Sequence, residues 1–272
     1  MTDYSPSNNG HPPSGDSPEP SKSPSPSEGP SPSALSPGAR PLTGRVVALI
    51  EILLCSDILT QIAIGGTLFA LGYQPKTPAG RLNVGYVVAL SLGDAFLLVA
   101  LILLMLYAHG ERPSDVFVGR RSIVPEGVLG LLTIPLTICV AAATLLTVRR
   151  FAPALHNVEH NPLQELLGSP RDAWLLALVV LVAGGVREEI QRAFLLHRFE
   201  VWLGGGAVGL VVTSIAFGAG HYSLQGVDAG IATGLLGAFW GTVYLRRRSS
   251  VAPIVSHAGF DLLQIAAFVG LR

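Results

Sequence analysis

Three clusters of ionisable side chains stand inside apolar runs of this 272-residue chain. They are Arg187-Glu188-Glu189-Ile190-Gln191-Arg192, then His221 with Phe217 ahead of it, then His257 followed by Asp261. A four-residue step in a helix returns to nearly the same face. Glu188 and Arg192 therefore stand one turn apart, as do Phe217 and His221, and His257 and Asp261. If those faces converge, a carboxylate, two imidazoles and a second carboxylate share a shielded cavity, with Arg192 placed to keep Glu188 ionised. Such a set suits hydrolysis: a desolvated Glu serves as general base on a water, while imidazole and carboxyl groups position that water or stabilise an oxyanion. Two His and one Glu equally suit a divalent metal such as zinc, with Glu188, His221 and His257 as its ligands. Spacing leaves the two mechanisms open.

The elements that must position these residues are membrane helices. Charged residues make up 13% of the chain, hydrophobic ones 49%, and mean hydropathy is +0.50, where soluble domains carry about 25% charged residues. Apolar segments long enough for a hydrocarbon layer, about 20 helical residues, run roughly over 46–71, 84–108, 124–148, 173–199, 207–220, 229–245 and 251–271, two of them short for a full crossing. Unbroken runs such as Ala95 to Leu104 contradict the alternation of a barrel strand. The fold class expected is an all-α, polytopic transmembrane bundle of about seven helices, eight if a further segment inserts. An ion at bilayer depth costs at least about 2.5–3.5 kcal/mol, so each intramembrane charge must face the interior, find a partner or serve a purpose.

Ahead of the bundle, residues 1–40 hold ten Pro, eleven Ser and four Gly, a composition too poor in apolar area to order its own backbone. The expected organisation is a disordered tail over 1–42, N-terminal transmembrane helices over 43–170 and a catalytic core over 171–272. The balance of 18 basic against 18 acidic residues excludes the basic face that nucleic acid requires. Cys55 and Cys139 lie in apolar runs and read as free core thiols. With seven crossings, ten Lys and Arg fall on the side of the tail and six opposite. That bias puts the N-terminus in the cytoplasm, in a multi-pass protein of the cell membrane.

The order of motifs on successive hydrophobic segments resembles the CPBP family, the CAAX-protease and bacteriocin-processing membrane proteins related to CAAX prenyl protease 2. The residues that carry the resemblance are Glu188-Glu189-Ile190-Gln191-Arg192 for the family's Glu-Glu-x-x-x-Arg, Phe217-Gly218-Ala219-Gly220-His221, and His257-Ala258-Gly259-Phe260-Asp261. It covers roughly 173–271. The resemblance implies an intramembrane endopeptidase acting on a membrane-associated peptide or protein, with Glu188 as base, Glu189 as its neighbour and reserve, and His221 and His257 polarising water or carbonyl. Arg192 is one residue early for the family pattern; counted back from it, the Glu pair would fall on Arg187 and Glu188. Asp261 stands where the family often has Asn. An anion there donates no hydrogen bond unless protonated, which leaves orienting His257 or binding a metal as its work.

Other chemistries fit less well. Ser91-Leu92-Gly93-Asp94 with Asp57 approaches an aspartyl intramembrane protease, but the first Gly of that signature and its Tyr-Asp partner are missing. No Gly-x-Ser-x-Gly elbow and no His-Glu-x-x-His occurs. The main alternative is a non-proteolytic membrane protein on the same bundle: a transporter whose ion path is lined by Glu51 and Asp57, or an immunity or scaffold protein.

Overall fold

The computed structural model describes residues 41–158 and 165–270; the expected tail lies outside the described residues as far as residue 40. The described chain is helical, without a strand among the described residues. Leu42–Leu54 (α1) and Ile58–Ala70 (α2) are two halves of one apolar stretch, interrupted at Cys55-Ser56-Asp57. Val84–Ala108 (α3), the short Pro113–Phe117 (α4) and Ile123–Phe151 (α5) follow. Pro170–Val179 (α6) runs through a π-helical stretch, Val180–Arg187, into Glu188–Trp202 (α7). Gly206–Gln225 (α8), Val227–Arg247 (α9) and Val251–Gly270 (α10) complete the bundle.

Among the described residues the apolar segments expected from the sequence are helical, except that 46–71 is broken at 55–57. Leu42–Ala70, Val84–Ala108, Ile123–Phe151 and Val251–Gly270 are long and apolar enough to cross a membrane, and Gly206–Tyr222 is apolar but shorter. Helix ends follow local chemistry. Asn83 caps α3 by accepting from the Tyr86 amide, and Ser169 caps α6 by accepting from Asp172, with Pro170 at the first helical position, where its missing N–H costs nothing. Gly226, at φ 93°, makes the turn between α8 and α9. These two helices pack closely: a Cβ on Gly218 would meet the Gly230 carbonyl at 2.5 Å. Gly220, two residues on, faces open space.

Burial is inverted relative to a soluble protein. Phe96, Leu132, Phe151 and Trp174 are more than 70% exposed, whereas Glu51, Asp94, Glu126, Arg187, Glu189, Arg192, Arg198 and Asp228 are buried. An apolar outer surface with charges inside is stable in lipid, where the outside is hydrocarbon and each inward ion must be paired. The chain is an all-helical integral membrane protein.

The pairs join distant helices. Arg198 on α7 donates to Glu51 of α1 at 2.5 Å and to Glu111, between α3 and α4, at 2.7 Å. His109 contacts Glu51 at 2.6 Å and His197 contacts Glu111 at 3.2 Å. His197 and Arg198 thus mark an interface between α7 and the N-terminal helices. The basic run at the end of α9 joins other helices, since Arg247 pairs with Glu126 and Arg248 with Glu200. His156 pairs with Asp228 at 2.7 Å. Both cysteines are free, but Cys139 lies on the outer surface and only Cys55 is a core thiol.

Candidate active site

The six candidate residues come from three helices, α7, α8 and α10. What lets α10 approach is a pair of glycines in the π-helical stretch just before Glu188. A Cβ on Gly185 would stand 2.6 Å from the Ala258 Cβ and 3.1 Å from its Cα, so α10 rests there on bare backbone. A Cβ on Gly184 would meet the Asp261 carboxylate at 2.8 Å and otherwise the Val180 Cβ at an ordinary 3.9 Å. Gly185→Ala is therefore expected to destabilise by about 1–3 kcal/mol through overpacking. Gly184→Ala needs only a movable carboxylate to shift and should unfold close to wild type. Thermal unfolding of both variants in detergent checks this; equal stabilities would show that α10 does not seat on Gly185.

A cavity of about 390 Å³ opens between these helices, and Glu188, His221, His257 and Asp261 all line it, together with Arg187 and Trp240. Glu188 Oε2 lies 3.8 Å from His257 Nε2, and Asp261 Oδ2 lies 3.5 Å from that same nitrogen. His221 directs Nδ1 to the Phe217 carbonyl at 2.9 Å, a bond in which the ring N–H donates, so its Nε2 is the nitrogen left over. A larger apolar groove between α8 and α9, about 550 Å³, is lined by residues such as Leu210, Ile215 and Leu235 and contains none of this chemistry.

Behind the cavity the two glutamates part company. Glu189, 2% exposed, accepts from Arg192 Nη1 at 2.9 Å and from His257 Nδ1 at 2.9 Å. The partner expected for Arg192 was Glu188, and the structure corrects this. Neighbouring residues on a helix point about 100° apart, and the three-residue step from Glu189 to Arg192 closes a pair that the four-residue step from Glu188 leaves open. With Glu189 as the acceptor, His257 donates through Nδ1–H and leaves Nε2 to the cavity. Trp240 stacks on the His257 ring at 3.9 Å between centroids and donates to Ser256 at 3.2 Å. Arg192 lies over Phe217, 4.4 Å from its ring centroid, and Phe217 meets His221 edge-on.

Sequence reasoning passed over Gly184, Gly185 and Trp240. The adjacent glycines ahead of the Glu pair and a lone Trp one helix upstream of His257 were the available signals. It also set aside the acids that face Arg187, Asp57 at 3.0 Å and Asp94 at 3.7 Å. The rival aspartyl pair does come together, but around a guanidinium. Glu51 and Asp57, the carboxylates of the transporter reading, are both in ion pairs. For a metal, Glu188, His221 and His257 are the right donor types. Among the described residues, however, no three His, Cys, Asp or Glu gather closely enough to hold an ion.

A carboxylate, two imidazoles and a buttressed ring gathered on one cavity are groups of the kind that hydrolysis uses. Residues 170–263 match the family model described as type II CAAX prenyl endopeptidase Rce1-like. This segment belongs to the CPBP family. It takes in α6, the π-helical stretch, α7, α8, α9 and the part of α10 that holds His257 and Asp261. The N-terminal helices, Leu42–Ala70, Val84–Ala108 and Ile123–Phe151, lie outside the match. No curated protein and no solved structure matches the chain.

Proposed function

We propose that this protein is an intramembrane endopeptidase that hydrolyses a peptide bond of a membrane-associated peptide or protein with a water activated by Glu188. The observation that carries the reading is the convergence of Glu188, His221, His257 and Asp261 on one cavity. The 3.8 Å between Glu188 Oε2 and His257 Nε2 is too long for a direct hydrogen bond and suits a water that donates one hydrogen to each. A lone pair on that water's oxygen attacks the scissile carbonyl carbon while Glu188 takes its proton. The carbon–nitrogen bond then breaks, and Glu188 returns the proton to the departing amine. His221, anchored through Nδ1, turns Nε2 to the substrate carbonyl and, as an imidazolium, donates to the oxyanion. Asp261 stands beside His257 to steady the ring whenever Nε2 carries a proton. The excess of Lys and Arg on the side of the tail, counted with seven crossings, supports a cytoplasmic N-terminus in a cell membrane.

The test is a cleavage assay on the full chain in proteoliposomes, with a membrane-tethered peptide as substrate and products read by mass spectrometry. Wild type is expected to yield one product pair, and Glu188→Ala or His221→Ala to yield none while inserting and folding normally. A folded Glu188→Ala protein with full activity overturns the assignment. Ion or solute flux that depends on Glu51 or Asp57, without any peptide product, would point to a transporter instead.

A further inference from the structure

Arg187 is more than nine-tenths buried and lines the catalytic cavity next to Glu188. Its guanidinium is held from the side away from the cavity. Nη1 pairs with Asp57 Oδ1 at 3.0 Å and donates to Gln191 at 3.4 Å; Nη2 faces Asp94 Oδ2 at 3.7 Å and Glu188 Oε1 at 3.8 Å. Glu188 is thereby divided, with one oxygen toward Arg187 and the other toward His257 Nε2.

The break between α1 and α2 makes this possible. Asp57 adopts φ 77°, a left-handed conformation that a non-glycine residue keeps only when its surroundings demand it. Gln61 donates to its carboxylate at 2.8 Å, and Gln191 donates to the Cys55 carbonyl, freed by the interruption, at 2.7 Å. Arg187 and Gln191, one turn apart at the start of α7, both grip this break. A continuous helix through 55–57 would have neither the free carbonyl nor a carboxylate turned this way.

We propose that Arg187 is a positioning residue for Glu188, held in place by Asp57 from the broken N-terminal helix, so that the working site extends beyond the CPBP segment. The proposal rests on the reading of Glu188 as base. A planar guanidinium fixed on Asp57 sets which oxygen of Glu188 faces the water, and an ammonium or an amide sets it less well. Misplacing a catalytic group by about 1 Å costs up to about 100-fold in rate.

The experiment measures kcat and KM of the full chain in proteoliposomes for Arg187→Gln, Arg187→Lys, Asp57→Asn and the Arg187→Gln/Asp57→Asn double variant, normalised to folded protein. Arg187→Gln is expected to lower kcat by about 10- to 100-fold with KM within about twofold of wild type, and Arg187→Lys to recover part of that loss. Asp57→Asn is expected to lower kcat when Arg187 is present and to add nothing in the Arg187→Gln background. Wild-type kcat in Arg187→Gln, or an Asp57→Asn effect of equal size in both backgrounds, overturns the proposal. If Arg187→Gln does not fold, the triple variant with Asp57→Asn and Asp94→Asn removes the uncompensated acids, and wild-type kcat in that protein overturns it as well. Glu188→Ala separates the two failures. If it is inactive while Arg187→Gln is fully active, only the positioning role falls; if it is active, the base assignment falls.

Discussion

Glu188→Gln and Glu189→Gln are each expected to cost the enzyme orders of magnitude in kcat, for different physical reasons. Glu188→Gln removes the carboxylate proposed as proton acceptor, which lines the cavity, an expected loss of about 10²- to 10⁴-fold. Glu189→Gln leaves that acceptor in place and changes the ring behind it. The carboxylate of Glu189 accepts from His257 Nδ1 at 2.9 Å. An amide there can donate instead, which moves the imidazole proton to Nε2 and takes away the lone pair that receives the water's hydrogen. In a triad protease the same exchange behind the histidine costs about 10⁴-fold through the wrong tautomer. Nitrogen chemical shifts of His257 tell the two apart: Glu188→Gln should leave the Nδ1–H form, and Glu189→Gln should replace it by the Nε2–H form. An active Glu189→Gln enzyme with wild-type shifts would show that Glu189 does not orient His257.

The second large effect concerns stability. Arg198 is fully buried between Glu51 and Glu111. Arg198→Met keeps the bulk and removes the charge, leaving a buried carboxylate on α1 without its cation. Breaking a buried pair from one side costs about 3–5 kcal/mol, so this variant should unfold well before wild type in detergent, and adding Glu51→Gln should recover much of the loss. The same junction has a pH signature. Burial pushes the Glu111 carboxyl up, but hydrogen bonds from His197 and Arg198 and their charges outweigh it and hold it at about 2, below an ordinary value of 4.5. A carboxyl depressed by folding stabilises the protein fully above that ordinary value. The contribution is lost as pH falls from about 4.5 toward about 2. Unfolding measured across that range should show the loss in wild type and a much weaker one in Arg198→Met. An equal slope in both would mean that Arg198 is not what holds Glu111 ionised.

Much of this protein was legible in one dimension. A bilayer imposes a length and a composition on whatever crosses it, so the helices 84–108, 123–151 and 251–270 could be read almost to their ends. Charges that lipid would reject stand out against such runs, and helical periodicity sets His257 and Asp261 on one face before any fold is known. Periodicity is local, however, and says nothing of how far a helix is rotated about its axis or which neighbour it meets. Glu188 and Glu189 are chemically alike and adjacent in the chain. Only the packed bundle, with its π-helical stretch and the bare backbone of Gly185, turns the first to the cavity and the second to Arg192 and His257. Asp57 meets Arg187 across 130 residues of chain through a helix break that no motif announces. Contacts of that range depend on the shape of every helix between them, and so the tertiary structure alone decides them.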